Sequence, residues 1–537
     1  MRLAYGPWRL TQAALSVNSR RHHGRWVSTS TSAATASSYA AALDRLAALQ
    51  SNRHITKLFD RTGSSSSSSS SSSKDSSGGG NKNAAAIPEM IDWLGRAGYS
   101  PQDLSRIRHI HVSGTKGKGS VCAYASSMLR RAGAGRVGTY TSPHLMSPRE
   151  RIAIDGSPVS QEVFAAGVHE LWDRFSAAAS DRTITSHAEA DGPATKPFYF
   201  RFLTILAWHI FLSQGVHDVV LECGIGGEYD ATNVLPAEAV SAAVVTQLSI
   251  DHVGMLGGTV EEIAWHKTGI FKRGVAAVTR RVDERPSVMD VVRSRAAERG
   301  VSSLVEVDDA AVEAWGGFQG AFGGGFQKYN QALAVMAVRE HLGMREQEGG
   351  GILRALRDIP DWMRDGLRSA KLRGRGEVLD DGPKLRWLLD GAHTEDSLYG
   401  VAASLAQAQA QDDDAPPMVL VFNQQERDAS ELLRGLIDAF ARLTSRERFF
   451  SHAIFTTNDL DRSDGKARDI TVQKGAADTM AKVSPGTTIM TCDSLPDAVD
   501  EVRKIAAEGD VRKTALVTGS MHLVGGVLRT LEPDSLL

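Results

Sequence analysis

The sequence predicts an α/β protein with two domains, each built on a mainly parallel β-sheet that helices cover. Two observations carry this prediction. From about residue 85, helical stretches alternate with short β-rich runs, which is typical of parallel sheets with crossover helices. A second series of the same kind begins near residue 371. The β-rich runs of the two series are, in order, IRHIHVSG, RVGTYTS, VHDVVLECG and AAVVTQLS, then GEVL, RWLLDGA, PMVLVFN, HAIFTTN, TTIMTC and TALVTGS.

The N-terminal region differs from the rest of the chain. Residues 1–35 contain five arginines and no acidic residue, among many serines, threonines and alanines, which predicts a mitochondrial transit peptide. A disordered basic tail is the alternative. Residues 36–62 have alanine and leucine at helical spacing and predict an N-terminal helix. Residues 63–84 contain ten consecutive serines and then glycines, so they predict a disordered insertion that cannot bury enough apolar surface to fold.

The domain boundaries follow from where the alternating pattern stops and resumes. The first domain is predicted over residues 85–350, and the second over residues 371–537. The stretch between the two series is richer in glycine and charge, as in EQEGGG and DIPDWMRDG. Residues 351–370 are therefore predicted to be a linker.

Composition limits the classes of function that are open to the chain. Its 537 residues suffice for two or three domains, and 42% hydrophobic residues suffice for ordinary packed cores. The net charge of −2 gives no sign of a nucleic-acid partner, and no apolar run is long enough to predict a transmembrane segment. The three cysteines lie far apart without metal-ligand spacing, which favours a reducing environment over a disulfide framework.

A glycine-rich loop lies between the first β-rich run and a helical pattern, in the segment GTKGKGS. Glycines let backbone N–H groups approach a polyphosphate, and the N-terminus of the following helix adds a positive dipole end. Lys118 would reach the β- and γ-phosphates, and Ser120 would face phosphate or metal. The segment departs from the strict GxxxxGK[ST] string, so its strand–loop–helix context carries the prediction, with a tight turn as the alternative. The predicted nucleotide-binding residues of the loop are Gly114, Thr115, Lys116, Gly117, Lys118, Gly119 and Ser120.

This loop is the first of several sequence blocks that resemble one known family. The blocks are GTKGKGS at 114–120, TSPHL at 141–145, RERI at 149–152, LECGIGGEYDATN at 221–233, LSIDHVGMLG at 248–257, IAWHKTGIFK at 263–272, FQKYNQALA at 326–334, LDGAHT at 389–394, FNQQERD at 422–428 and VTGSMHLVGG at 517–526. Together they resemble the Mur-ligase superfamily, in particular its folylpolyglutamate and dihydrofolate synthase branch, over residues 38–62 and 85–537. LQSN, Lys116, AWHK, DGAHT and FNQQERD resemble the eukaryotic folylpolyglutamate synthases specifically.

The resemblance implies a fold and a reaction. The fold would be Mur-ligase-like, with a P-loop-containing N-terminal ATPase domain and a smaller Rossmann-like C-terminal domain. The chain would be a carbon–nitrogen ligase of one-carbon metabolism that adds L-glutamate to the γ-carboxyl of tetrahydrofolate. ATP would activate that carboxylate as an acyl phosphate, with release of ADP and phosphate. Catalysis is expected in the cleft between the domains, with domain closure.

The resemblance also implies a magnesium site and a modified lysine. Ser142, Glu222 and His252 match the family's Mg²⁺ ligands. Glu222 follows an apolar run, so it is expected at the carboxyl end of a strand, where active sites of open α/β sheets lie. His252 is the harder case, since imidazole is an unusual ligand of Mg²⁺. Lys267 matches the lysine that the family carbamylates with CO₂; an exposed helix lysine is the alternative. A monovalent cation is a further candidate cofactor.

Four more positions are implied to contact ATP or the reaction centre. Asn330 falls in the family's nucleotide-contact block, where Phe326 replaces the usual histidine. Arg375 matches the arginine of the family's WPGR block, although the match is partial. Asp390 and His393 would be the contribution of the C-terminal domain. The residues predicted to be catalytic are Lys118, Lys267 and His393.

Folate contacts are implied at three places. They are the loop around TSPHL, the segment KPFYFRF at 196–202 and the residues YDA at 229–231. If residues 196–202 form a strand, their aromatic side chains are equally explained as core residues. Glu228 stands where bacterial members have arginine, which we interpret as tuning of the substrate site.

Several alternatives stay open at this point. The closest is a dihydrofolate synthase, which adds the first glutamate to dihydropteroate, or a bifunctional enzyme. More distant ones are a Mur-type cell-wall ligase, a catalytically inactive nucleotide-binding protein and an unrelated P-loop hydrolase. The expected partners are small molecules only: reduced folate, L-glutamate and ATP. The protein is expected to be a monomer in the mitochondrion (matrix or inner membrane, by peripheral association) and in the cytoplasm.

Overall fold

The computed structural model describes residues 32–49, 83, 85–133, 135–181, 187–320, 325–344, 351–409, 416–425, 427–444, 449–461, 468–508 and 511–532. Most of the predicted transit peptide and nearly all of the predicted serine-rich insertion lie outside these ranges. The first part of the predicted N-terminal helix lies in α1 (Ser32–Ala48), and residues 50–62 of that prediction lie outside the described ranges. No helix in the described ranges combines the length and the apolar character that crossing a membrane requires.

The first domain is built on an eight-stranded sheet with the strand order β4-β3-β2-β5-β1-β6-β7-β8. Its strands are β1 (Arg108–Ser113), β2 (Val137–Tyr140), β3 (Ile152–Ile154), β4 (Ser157–Pro158), β5 (Asp218–Glu222), β6 (Val240–Val245), β7 (Ala276–Arg280) and β8 (Ser303–Val307). Neighbouring strands pair in parallel in the part of the sheet ordered β2-β5-β1-β6-β7-β8. At the other edge, β3 pairs antiparallel with β2, and β4 pairs antiparallel with β3. The predicted mainly parallel sheet is therefore observed, and the four predicted runs form β1, β2, β5 and β6.

Helices cover both faces of this sheet. They are α2 (Ala86–Arg96), α3 (Lys118–Ala132), α4 (Gln161–Ser180), α5 (His187–Asp191), α6 (Tyr199–Ser213), α7 (Val253–Leu256), α8 (Val260–Lys267), α9 (Pro286–Arg299), α10 (Asp309–Trp315), α11 (Gln327–His341), α12 (Gly351–Arg357) and α13 (Asp361–Ser369). Short 3₁₀ segments lie at Pro101–Arg106, Pro148–Arg151, Pro193–Thr195, Ala231–Val234, Ala237–Ala239 and Thr268–Ile270. One apolar core joins α1, α2, α4 and α6 to the sheet, and a second joins α3, α11 and α13 to it.

Residues 351–370 require a correction, because they do not form the predicted linker. They form α12 and α13, whose Leu356, Met363 and Leu367 are buried in the same core as Met128 of α3. A Cβ on Gly366 would lie 2.7 Å from the Cα of Met128, so glycine allows α13 to pack closely on α3. The first domain therefore extends to about residue 370.

The second domain is built on a six-stranded sheet with the order β13-β12-β11-β14-β10-β9. Its strands are β9 (Glu377–Asp381), β10 (Leu385–Leu389), β11 (Met418–Phe422), β12 (Phe450–Thr456), β13 (Thr488–Cys492) and β14 (Lys513–Thr518). All pairs are parallel except β9 with β10. The helices are α14 (Glu395–Gln409), α15 (Ala429–Leu443), α16 (Thr471–Val483), α17 (Leu495–Ala507) and α18 (Met521–Leu531). All six predicted β-rich runs are thus strands.

Candidate active site

A cleft of about 2120 Å³ lies between the two domains. The first domain lines it with the loop before α3, residues 141–145, the end of β5 and the start of α11. The second domain contributes residues after α13, the end of β10 and the start of α14. A pocket for one drug-sized ligand measures roughly 300–1,000 Å³. The cleft therefore has room for a nucleotide together with a second substrate.

The glycine-rich loop turns from β1 into α3 at this cleft. Gly114 and Gly117 both have positive φ values, 140° and 87°, and Gly117 is the residue that caps α3. A Cβ would overlap Thr246 at the first position and Asn330 at the second. Only glycine fits these positions, and the tight turn they allow brings the N-terminus of α3 to the cleft. Lys118 folds back over the loop and donates to the Gly114 carbonyl at 3.1 Å.

The other residues of the loop have separate roles. The Thr115 N–H donates to the Gln247 carbonyl, and the Thr115 hydroxyl donates to the Ser249 carbonyl, so Thr115 anchors the loop. Ser120 is buried in the first turn of α3, and Gly119 faces Glu222. The Nζ atom of Lys116 lies 2.7 Å from Asp396 Oδ2 at the start of α14. Lys116 therefore bridges the two domains.

Glu222 and Ser142, two of the three predicted Mg²⁺ ligands, are in direct contact. Glu222 is the last residue of β5 and is buried, and it accepts a hydrogen bond from the Ser142 N–H at 2.9 Å. Burial raises the pKa of Glu222, while the charges of Lys118, Arg375 and Arg151 oppose that shift. A buried carboxylate in this position is stabilised by a cation.

His252 lies at the exposed side of the cleft. It precedes α7 in the left-handed region (φ 51°), a strained conformation for a residue with a side chain, and its Nε2 is 3.7 Å from Asp251. Atoms of the cleft wall displace water from part of the His252 ring, and this partial desolvation lowers its pKa. The described residues contain no cluster of three or more His, Cys, Asp or Glu side chains that could hold a metal by themselves. Mg²⁺ keeps several waters and binds through one or two carboxylates plus substrate phosphates, so this donor set fits it.

Lys267 is not the exposed helix lysine of the alternative interpretation. It is only 2% exposed, and its Nζ donates to the Gly114 carbonyl at 2.8 Å. Burial, reinforced by the nearby charge of Lys118, lowers the pKa of Lys267 to about 7. Lys118 and Lys267 therefore converge on one carbonyl oxygen of the phosphate loop. Two amines that share one neutral acceptor favour an anion beside them.

The second domain places Arg375, Asp390 and His393 at the opposite wall. Both carboxylate oxygens of Asp390 accept backbone N–H bonds at 2.9 Å, from Gly376 and Ala392. Burial raises the pKa of Asp390, and Arg375 is the largest opposing charge. Asp390 thus fixes the turn that carries Arg375. His393 is part-buried, with Nδ1 at 3.1 Å from the Gly391 carbonyl, and burial lowers its pKa.

The predicted folate segments also line the cleft, with two corrections. Residues 196–202 do not form a strand, because α6 begins at Tyr199. Phe198, Phe200 and Tyr229 line the cleft, and the Phe200 ring lies against Gly224. Glu228 does not line the cleft. It forms ion pairs with Arg295 and Arg299 and so holds the loop after β5 on α9, which replaces our interpretation of Glu228 as a substrate-tuning residue.

Two charged contacts across the cleft were not predicted from the sequence. One is the pair Lys116–Asp396, and the other joins Arg427 to Asp251 at 3.9 Å. Each pair joins residues that are far apart in the chain, so spacing carried no signal for them. Asp251 directly precedes His252, so Arg427 of the second domain contacts the segment that carries this predicted Mg²⁺ ligand.

Comparison with known proteins shows which family the chain belongs to. No family model matches the chain. The folylpolyglutamate synthase of Neurospora crassa is 35% identical in an alignment of 533 positions that covers 95% of this chain and 94% of that protein. The folylpolyglutamate synthase of Saccharomyces cerevisiae (strain FostersO) is 37% identical over 464 residues, 83% of this chain and 81% of that protein. The chain belongs to the folylpolyglutamate synthase family.

Solved structures extend the likeness to the fold. Mycobacterium tuberculosis folylpolyglutamate synthase complexed with ADP is 26% identical with a TM-score of 0.61, covering 91% of this chain and 98% of that one. The same enzyme complexed with ADP and AMPPCP is 27% identical with a TM-score of 0.59, covering 84% and 99%. Membership of the folylpolyglutamate synthase family confirms the predicted two-domain fold and the predicted class of ligase.

Proposed function

We propose that this protein uses ATP to add L-glutamate to the γ-carboxyl of tetrahydrofolate and of its polyglutamates. The observation that carries the proposal is the convergence of Lys118 and Lys267 on Gly114 in a cleft that both domains line. Amide formation from a carboxylate requires activation, and these residues are arranged to bind the triphosphate that supplies it.

In the first step, an oxygen of the folate γ-carboxylate attacks the γ-phosphorus and the bond to the ADP oxygen breaks. The catalytic demand is positioning and neutralisation of the transferring phosphoryl group. Lys118 and the N-terminus of α3 supply positive charge on one side, and Arg375 supplies it from the second domain. Glu222 and Ser142, with His252 beside the cleft, would hold Mg²⁺, which when bound neutralises charge on the β- and γ-phosphates.

In the second step, the amine of L-glutamate attacks the acyl carbon, the bond to the phosphate oxygen breaks, and the amine loses a proton. His393 can accept that proton because its burial favours the neutral imidazole. Lys267 has a large neutral fraction near pH 7, so its Nζ can form an N–C bond to CO₂ and release one proton. The resulting carbamate anion would lie beside Lys118, where it fits the positive charge of the loop.

The experiment that tests this function measures phosphate release by the purified protein with MgATP and L-glutamate. Tetrahydrofolate, dihydropteroate and no acceptor are compared, and the product mass is checked for added glutamyl units. We expect glutamate-dependent turnover with tetrahydrofolate and little with dihydropteroate. Turnover mainly with dihydropteroate would show that the protein is a dihydrofolate synthase instead. No phosphate release with either acceptor would contradict the proposal that it is a folate ligase.

We also propose that the protein is present in the mitochondrion as well as in the cytoplasm. The composition of residues 1–35 supports the mitochondrial location. Fused to a fluorescent reporter, residues 1–35 are expected to direct it into mitochondria. The matched control carries glutamine at all five arginines and should stay in the cytosol. Cytosolic retention of the unmodified fusion would contradict the targeting role.

A further inference from the structure

The cleft continues from the phosphate loop along one face of α3. Beyond Lys118, the α3 residues that line it recur at helical spacing and are small until the last turn. They are Gly119, Ser120, Ala123, Ser126, Ser127, Arg130 and Arg131. Because α3 rises 1.5 Å per residue, Gly119 and Arg130 are about 17 Å apart along the helix axis. The floor of this groove is therefore lined by small side chains and ends at two arginines.

Two walls flank this floor, which we call the α3 groove. One wall is the β2–β4 region, with Thr139, Ala153, Gly156 and Pro158, and the other is residues 369–373. The Ser127 hydroxyl donates to the Gly366 carbonyl at 2.7 Å, which fixes the end of α13 beside α3. At the outer end, the guanidinium of Arg130 lies directly against Gly156, whose φ is 82°. The inner end reaches Glu222 through Gly119.

The outer end of the α3 groove carries positive charge that the described part of the chain does not neutralise. Arg130, Arg131 and Lys371 are exposed and line the cleft, and no ion pair joins them to a described carboxylate. Arg373 differs, because it pairs with Glu377 and Glu532 at 2.7 Å.

The two acidic residues of the β2–β4 wall do not offset this charge. Asp155 pairs with Arg136 at 3.4 Å and accepts the Val137 N–H at 2.9 Å. The carboxylate of Glu150 accepts the backbone N–H groups of residues 145–147 at 2.6–3.0 Å. It is directed at its own turn, so three cations remain available to an anionic ligand.

We propose that the α3 groove binds the oligo-γ-glutamate segment of long-chain folates, an inference that rests on the proposed function. Each γ-linked glutamyl residue extends the chain by roughly 6 Å and carries a free α-carboxylate. The groove length of about 17 Å therefore matches about three such residues. With the terminal γ-carboxyl at the phosphate loop, the small side chains of the floor leave space for the chain. The α-carboxylates then reach Arg130, Arg131 and Lys371, which bind them by charge-assisted contacts.

This assignment predicts a dependence on chain length that a general anion site would not produce. A monoglutamate carries no internal glutamyl residue to reach the outer end. A pentaglutamate fills the groove and meets all three cations. Exposed charge contacts are individually weak, so the three together are expected to change affinity for the long substrate by about tenfold.

The test compares the full-length protein with the triple variant Arg130→Gln, Arg131→Gln and Lys371→Gln. KM and kcat are measured with tetrahydrofolate carrying one or five glutamates, at saturating MgATP and L-glutamate. We expect the KM of the pentaglutamate to rise about tenfold, while the KM of the monoglutamate and both kcat values stay within about twofold. The matched control, Arg434→Gln, Arg442→Gln and Lys482→Gln, removes the same charge from exposed positions outside the cleft and should change neither KM.

Two other outcomes of the KM comparison decide against the inference. An equal rise of KM for both substrates would mean that the three cations act on folate binding in general and not on the glutamate chain. No rise of KM for either substrate would mean that the groove does not bind the glutamate chain. If the unmodified protein lacks turnover with the monoglutamate, the proposed function itself fails. Direct titration with penta-γ-glutamate then decides: a Kd about ten times higher for the triple variant supports the groove, and equal Kd values overturn it. If Arg130→Gln lowers the thermal midpoint, the same KM values are measured with the double variant Arg131→Gln and Lys371→Gln.

Discussion

Replacing Lys118 with alanine is expected to lower kcat for glutamate-dependent turnover by about a thousandfold, or about 4 kcal/mol of transition-state stabilisation. Lys118 folds over the phosphate loop, with its Nζ 3.1 Å from the Gly114 carbonyl. An amine at this point would contact the transferring phosphoryl group, where charge develops in the transition state. Pre-steady-state phosphate release and steady-state turnover, with tetrahydrofolate as acceptor, both measure the effect.

Lys116→Ala is the matched control, since it removes an amine from the same loop. Lys116 is paired with Asp396, whose side chain is 77% exposed, and exposed pairs contribute little. We expect less than about a tenfold change for this variant. A thermal melt should confirm that both variants stay folded. Turnover of Lys118→Ala within tenfold of the unmodified protein would contradict the assignment of the phosphate loop.

The sequence allowed all six strands of the second sheet and four strands of the first to be predicted, because local patterns determine them, whereas β3, β4, β7 and β8 were not among the predicted runs. Every predicted β-rich run is a strand, and Gly114 and Gly117 of GTKGKGS lie where side chains would collide with Thr246 and Asn330. Glu222 could be placed at the end of a strand for the same reason, since it directly follows an apolar run.

Two errors came from giving composition more weight than segment length. Residues 196–202 are rich in aromatic side chains, which favour strands, yet the apolar run continues to Ser213 and is too long for one strand. Residues 351–370 were read as a linker from their glycine and charge. The spacing of Met363 and Leu367 is that of a helix face, and this was the available signal.

Other features of the site depend on contacts that no local pattern encodes. The burial of Lys267 follows from the approach of α8 to the phosphate loop, 153 residues away in the chain. The pairs Lys116–Asp396 and Arg427–Asp251 depend on how the second domain sits against the first. Resemblance to a family could indicate that Lys267 matters, but its lowered pKa follows from the fold.

Replacing Lys267 with methionine is expected to separate activity from stability. We expect kcat to fall by about a hundredfold or more, because the variant cannot place an amine or a carbamate beside the Gly114 carbonyl. The unfolding midpoint at pH 7 should rise, because methionine removes a buried amine and keeps its volume. Lys272→Met is the matched control. Burial lowers the pKa of Lys272 to about 8, yet its Nζ donates to the Asn233 carbonyl and it does not line the cleft, so turnover should be retained.

The pH dependence of stability gives this prediction a defined sign. The pKa of Lys267 is about 7 in the folded protein and about 10.4 in an unfolded chain. Between these values the unfolded state binds more protons, so the contribution of Lys267 makes the protein more stable as pH rises from 7 to about 10. Lys267→Met lacks this contribution, and its advantage in unfolding free energy should be largest at and below pH 7 and shrink towards pH 10. Denaturant unfolding at pH 6.5 and pH 9.5 measures the difference. If Lys267→Met gained the same unfolding free energy at both pH values, the Lys267 amine would not be the titrating group. Near-normal turnover of Lys267→Met would show that Lys267 takes no part in the reaction.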